Sequence, residues 1–79
     1  MKHKIKILEK LKLVKDGSNK LPLNNLEIIV NSQEEEQLIG KDFIDLLEIM
    51  KNEKLILSDN NNWYFHITEN GLDYLNENT

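Results

Sequence analysis

Between residues 41 and 67 the spacing of apolar side chains changes from steps of three or four to steps of two, and this switch constrains the fold more than any other feature of the chain. Phe43, Leu46, Leu47 and Met50 fall on one face of a helix predicted over 41–53, with Ile44 and Ile49 flanking that face. Residues 55–58 then read as a strand, Asp59-Asn60-Asn61-Asn62 as a turn, and 63–67 as a returning strand. Alternation places Trp63, Phe65 and Ile67 on one side of that strand and Tyr64 and His66 on the other. Thr68 is placed to cap a short last helix carrying Leu72, Tyr74 and Leu75. Asn70-Gly71 offers a hairpin turn instead, but too little chain follows it to make a useful strand. A helix feeding a hairpin within one short chain places the fold in the α+β class.

The first half is less sharply written. Residues 2–15 carry Ile5, Leu8 and Leu11, with Ile7 and Val14, at helical spacing, and Lys2, Lys6 and Lys10 form a stripe on the opposite face. Asp16-Gly17-Ser18-Asn19 ends that helix. Pro22 holds Leu21 extended. Asn24 or Asn25 is the expected cap of a second helix carrying Leu26, Ile29 and Val30, although Ile-Ile-Val also suits a strand. Ser32-x-x-Glu35 has the form of a capping box and predicts a helical restart through Leu38 and Ile39 before Gly40 breaks the pattern.

Seventy-nine residues allow one domain, taken as 1–79. A chain of this size buries only about 60% of the surface its unfolded form exposes, so Phe43, Trp63, Tyr64, Phe65 and Tyr74 are the expected bulk of a small core. Without cysteine there are no disulfides and no thiolate metal sites, which fits a reducing compartment, and a cytoplasmic location is expected. No apolar run approaches the roughly 20 residues that span a bilayer, and Lys6, Glu9, Lys10 and Lys12 interrupt the stretch that a signal peptide would need, so no membrane partner is expected. The chain has no arginine, so the bidentate fork that most often reads guanine is missing. Net charge is −4, unevenly spread: residues 1–20 hold seven lysines and two acids, and residues 21–79 three lysines and twelve acids. That asymmetry suggests a basic contact surface at one end.

The run Phe43-Ile44-Asp45-Leu46-Leu47-Glu48-Ile49-Met50-Lys51-Asn52-Glu53-Lys54-Leu55-Ile56 resembles the third helix and its "L…L…GLI" exit in MarR-, PadR- and YjcQ-like proteins, with Lys54 where many members carry glycine. Tyr64-Phe65-His66-Ile67-Thr68-Glu69-Asn70-Gly71-Leu72-Asp73-Tyr74-Leu75 is similar to their "Y.LTEKG..YL" segment. The resemblance covers residues 41–76 closely and 2–40 in outline. It implies a small winged helix-turn-helix: three helices, a two-stranded wing hairpin and a short C-terminal helix. In that family the third helix enters the major groove and the wing touches the neighbouring backbone.

The leading expectation is therefore a DNA-binding transcriptional regulator that engages double-stranded DNA through its lysine-rich first helix, as a homodimer that doubles a weak patch. Lys2, Lys6 and Lys10 form the core of that contact, with Lys41, Lys51, Asn52, Tyr64 and His66 around it. Ile7, Leu13, Ile44, Ile49 and Ile56 exceed what one buried face per helix needs and are candidates for a dimer contact. The alternative is a protein-interaction module. Asp42, Asp45 and Glu48 face outward on the third helix, where they would repel phosphates, and the wing tip has no cation. Such a surface docks a basic partner or mimics nucleic acid. A third option is self-association of the basic first helix with the acidic face.

Enzyme chemistry is not expected. His3 and His66 are far apart in the chain, and Glu34-Glu35-Glu36 lacks the alternating ligands of a calcium loop, so no metal or cofactor is expected. Ser18, Ser32 and Ser58 sit where serine caps or turns. The pairs Asp42/Asp45 and Asp45/Glu48 are expected on an exposed face, where their acidities stay too alike for acid–base work.

Overall fold

The computed structural model describes residues 2–15, 17, 20–32, 34–61 and 63–78. They form a small α+β domain with four helices and one three-stranded antiparallel sheet. In chain order these are α1 (Lys2–Leu13), β1 (Leu21–Pro22), α2 (Leu23–Asn31), α3 (Lys41–Asn52), β2 (Ile56–Ser58), β3 (Tyr64–Ile67) and α4 (Glu69–Glu77). The sheet order is β1-β3-β2, so the extended piece around Pro22 joins the hairpin as a third strand, pairing Leu21 with Phe65 and Pro22 with Tyr64. Proline is tolerated there because β1 is an edge strand. The hairpin register sets Ile56 against Ile67 and Ser58 against Phe65.

The buried apolar side chains form one cluster. Ile7, Leu8 and Leu11 of α1 meet Leu26 and Val30 of α2, and the predicted face of α3, Phe43, Leu46, Leu47 and Met50, is wholly inside. Helix α1 lies against α2, α4 and β3, while α3 lies against β2. Phe65, Ile67, Ile56 and Leu55 close the core from the sheet side. No helix among the described residues is long and apolar enough to cross a membrane.

Four expectations need correction. Helix α2 starts at Leu23 with Pro22 in the cap position, not at Asn24 or Asn25, because the Leu23 amide is already bonded to the Trp63 carbonyl at 2.7 Å and Pro22 holds the extended geometry of a helix entry. No helix restarts at Ser32. Instead the buried Asn31 side chain accepts from the Leu38 amide and donates to the carbonyls of Leu38 and Glu27, holding residues 34–40 as an irregular strap. Ile7 and Ile56, offered as spare surface, are fully buried, whereas Leu13, Ile44 and Ile49 are exposed as expected. Trp63 does not join Phe65 and Ile67 in the core: it precedes β3, and its side chain is 66% exposed. Of the breaker cluster, Asp16, Ser18 and Asn19 lie outside the described residues, as does Asn62 of the turn.

The end of the chain folds around one hydroxyl. Thr68 Oγ1 accepts the Gly71 amide at 3.0 Å and lies 2.6 Å from the Lys54 carbonyl and 2.9 Å from that of Leu55, tying α4 to the exit of α3. The expected cap is therefore present, and Asn70-Gly71 is helical rather than a turn.

Candidate docking interface on the third helix and hairpin

With one face of α3 committed to the core, Lys41, Asp42, Asp45, Glu48 and Asn52 point outward with Ile44 and Ile49. Lys41 pairs with Asp45 at 2.9 Å and Lys51 with Glu48 at 3.3 Å, along the i,i+4 and i,i+3 steps of the helix. The hydrogen bond to Asp45, with the charges of Asp45 and Asp42, raises the Lys41 pKa. Two of the cations expected to meet DNA are thus engaged by carboxylates of their own helix.

The hairpin turn fixes the neighbouring wall. Asp59 Oδ1 accepts the Trp63 amide at 2.7 Å and the Tyr64 amide at 3.3 Å. The Trp63 carbonyl accepts the Leu23 amide from the other side. Both backbone polar groups of Trp63 are therefore held while its indole projects outward. Trp63 lines a hollow of about 300 Å³ with Pro22, Leu23, Asn24 and Tyr64. It also lines one of about 250 Å³ with Leu23, Ile44, Glu48, Asn61 and Phe65. The second hollow joins the outer face of α3 to the hairpin.

The lysine stripe of α1 is differently disposed from the sequence expectation. Lys2 and Lys6 both reach Glu34, one to each carboxylate oxygen, Lys2 at 2.8 Å. The Glu34 side chain is only 8% exposed beneath them. The hydrogen bonds from Lys2 and Lys6 pull its carboxyl pKa from 4.5 down to about 2, and the same contact raises that of Lys2. His3 adds a hydrogen bond to the Glu36 carbonyl at 3.1 Å, and Lys4 pairs with Glu53 at 2.6 Å beside the Tyr74 ring. Of the three stripe residues only Lys10 makes no ion pair among the described residues. Tyr64 and His66 are half-buried, and the Lys20 ammonium stands 4.4 Å from the Tyr64 ring centre, covering a face expected to stack on bases.

The expected DNA-contact residues thus do not gather into one open cationic surface. The expected docking residues Asp42, Asp45 and Glu48 do share one outer face. What the sequence reading missed is the exposed Trp63 beside that face. The signal was its place directly after a four-residue polar turn, with Asp59 able to accept its amide. The role of Glu34 had no local signal, because its partners are about thirty residues away. No group of His, Asp or Glu side chains able to hold a metal ion occurs among the described residues. No protein-family model, curated protein or solved structure matches this chain.

Proposed function

We propose that this chain is a small winged-helix module whose α3 and β2–β3 turn form a docking face for another protein. The element order, with β1 inserted between the first two helices and paired to β3, supports the winged-helix reading. The observation that carries the docking reading is Trp63: a large aromatic side chain, 66% exposed, on a backbone pinned at both its amide and its carbonyl. Tryptophan is enriched among residues that anchor interfaces, and a rigid anchor loses little freedom on binding. On α3, Asp42, Asp45 and Glu48 outnumber Lys41 and Lys51, which pair with two of them, and the net negative charge that remains favours a partner carrying positive charge and disfavours a phosphate backbone.

The test is site-directed photo-cross-linking in the native host. A photoreactive residue at Ile44 is expected to give a protein adduct that Trp63→Ala removes, while the same label at Glu77 on α4 gives none. Adducts of equal yield from both sites, unaffected by Trp63→Ala, would overturn the reading.

The second reading, DNA binding through α1, rests on the excess of lysine over acid in the first twenty residues. It requires anisotropy of a labelled duplex to show binding that weakens steeply between about 50 and about 200 mM salt. The contacts of Lys2 and Lys6 with Glu34 oppose it.

A further inference from the structure

The outer face of α2 and the 34–40 strap carry apolar surface that the docking reading does not use. Ile28 is 68% exposed and Ile39 58% exposed, and the two line one hollow of about 350 Å³ with Glu27, Asn31, Ser32 and Gln37. Ile39 is held outward by its chain neighbours. The Asn31 side chain bonds both the amide and the carbonyl of Leu38, and the Gly40 amide donates to Glu27 Oε2 at 2.8 Å. Much of the polar lining is also engaged within the molecule. The Asn31 side chain donates to the carbonyls of Glu27 and Leu38, and the Gln37 side-chain nitrogen donates to those of Asn31 and Glu34. Covering this hollow takes two isoleucines out of water and leaves those polar groups their partners.

Charge and shape both point to the occupant. A two-fold contact sets a surface against its own copy, so a charge near the axis meets its like. Leu13 has Lys10, Lys12 and Lys15 within three residues, and Ile49 stands one and two helical turns from Asp45 and Asp42. Either would meet its copy against repulsion. No lysine lines the Ile28–Ile39 hollow, and its one acid, Glu27, has an oxygen committed to the Gly40 amide. The shape fits itself as well. Ile28 projects at the rim of a hollow roomy enough for an isoleucine side chain, so under a two-fold axis the Ile28 of each copy enters the hollow of the other. The outer edge of the sheet is a weaker route to self-association, because β2 is only three residues long, a length at which edge strands resist pairing.

We propose that the Ile28–Ile39 face is the contact of a two-fold homodimer, formed by α2 and the strap of each copy. The patch is small, so the dimer is weak, with a dissociation constant between about 10 µM and about 1 mM. The inference does not rest on the docking reading.

The experiment is sedimentation equilibrium of the full chain from about 10 µM to about 1 mM, where a monomer–dimer equilibrium is expected. Ile28→Lys should weaken the dimer about tenfold or more, and Ile28→Ala about threefold or more. Leu13→Lys, Ile49→Lys and Trp63→Ala should leave it unchanged, and circular dichroism confirms that every variant is folded. Raising salt from about 50 to about 500 mM should keep or tighten the dimer, because it screens the net charge of −4 on each copy. A monomer at every concentration, species larger than a dimer, or a dimer unaffected by the Ile28 variants would each overturn the inference. So would loss of the dimer in Leu13→Lys, Ile49→Lys or Trp63→Ala. Weakening by salt would also overturn it, assigning the contact to the basic first helix and the acidic face of another copy. If the chain stays monomeric and Ile44 still cross-links to a protein in a Trp63-dependent manner, the dimer falls and the docking reading stands.

Discussion

Gly71 and Lys54 show how single backbone positions hold the end of this fold together. A Cβ on Gly71 would lie 2.3 Å from the Leu55 carbonyl oxygen, the atom that also accepts the Thr68 amide. The next nearest atom, Ile67 Cγ1 at 2.7 Å, belongs to a buried side chain, so α4 must shift. Gly71→Ala is expected to destabilise the protein by about 2–3 kcal/mol, as overpacking does. Lys54 is the opposite case, a side-chain-bearing residue at φ 66° in the left-handed region. Left-handed geometry costs an L-residue roughly 1–2 kcal/mol, and glycine returns part of that gain through its freer unfolded chain. Lys54→Gly should therefore stabilise by about 0.5–1 kcal/mol, read with Gly71→Ala from urea midpoints at constant slope. In the sequence Lys54 stands out only as a departure from a resembling pattern; its positive φ supplies the physical reason a glycine suits that place.

At the scale of elements, α1 and the 34–40 strap are joined by charge rather than by a regular hydrogen-bond ladder. Glu34 titrates at about 2 in the folded protein and near 4.5 when free of its lysines. Its folded value is lowered, so its contribution to stability is fully present above 4.5 and is lost as pH falls towards about 2. The urea midpoints of wild type and Glu34→Gln should differ at pH 6 and converge as pH drops through that window. A difference that persists unchanged to pH 2 would contradict the contact. At the alkaline end the sign reverses: Lys2, raised above 10.5, keeps its contribution below that value and loses it as pH climbs through its folded value. Helix α3 was legible because its apolar period is long and clean, and the hairpin because the polar residues 59–62 separate two short apolar runs. The strap was not: Ser32-x-x-Glu35 is a local helix signal, and it yields to the Asn31 amide, which pairs with Leu38 and Glu27. The lysine stripe was legible as a face of α1, but a helix pattern carries no information on which acid lies across it.

For the molecule as a whole, the division between what holds the fold and what faces outward falls between two aromatic residues. Phe43 is fully buried in the single core cluster, and Phe43→Ala is expected to remove about 3–5 kcal/mol, a large share of what so small a domain has. Trp63→Ala should change stability by about 0.5 kcal/mol or less, since the indole is largely in solvent. Period-2 alternation in 63–67 put Trp63 inside, and it failed there because the strand begins one residue later, at Tyr64, once Asp59 has captured the preceding amide. The same shift that empties a core position creates the candidate docking anchor beside Ile44 and Glu48.

Trp63 is the single tryptophan of the chain, so its fluorescence reports that placement without interference from another indole. The most direct measurement is the emission maximum and acrylamide quenching of the dilute native protein, set against the same protein in urea. An exposed anchor predicts native emission at the wavelength of hydrated indole and quenching nearly as fast as in the unfolded chain. Blue-shifted emission protected from acrylamide in the dilute folded protein would place Trp63 in the core with Phe65 and Ile67 and remove the docking face.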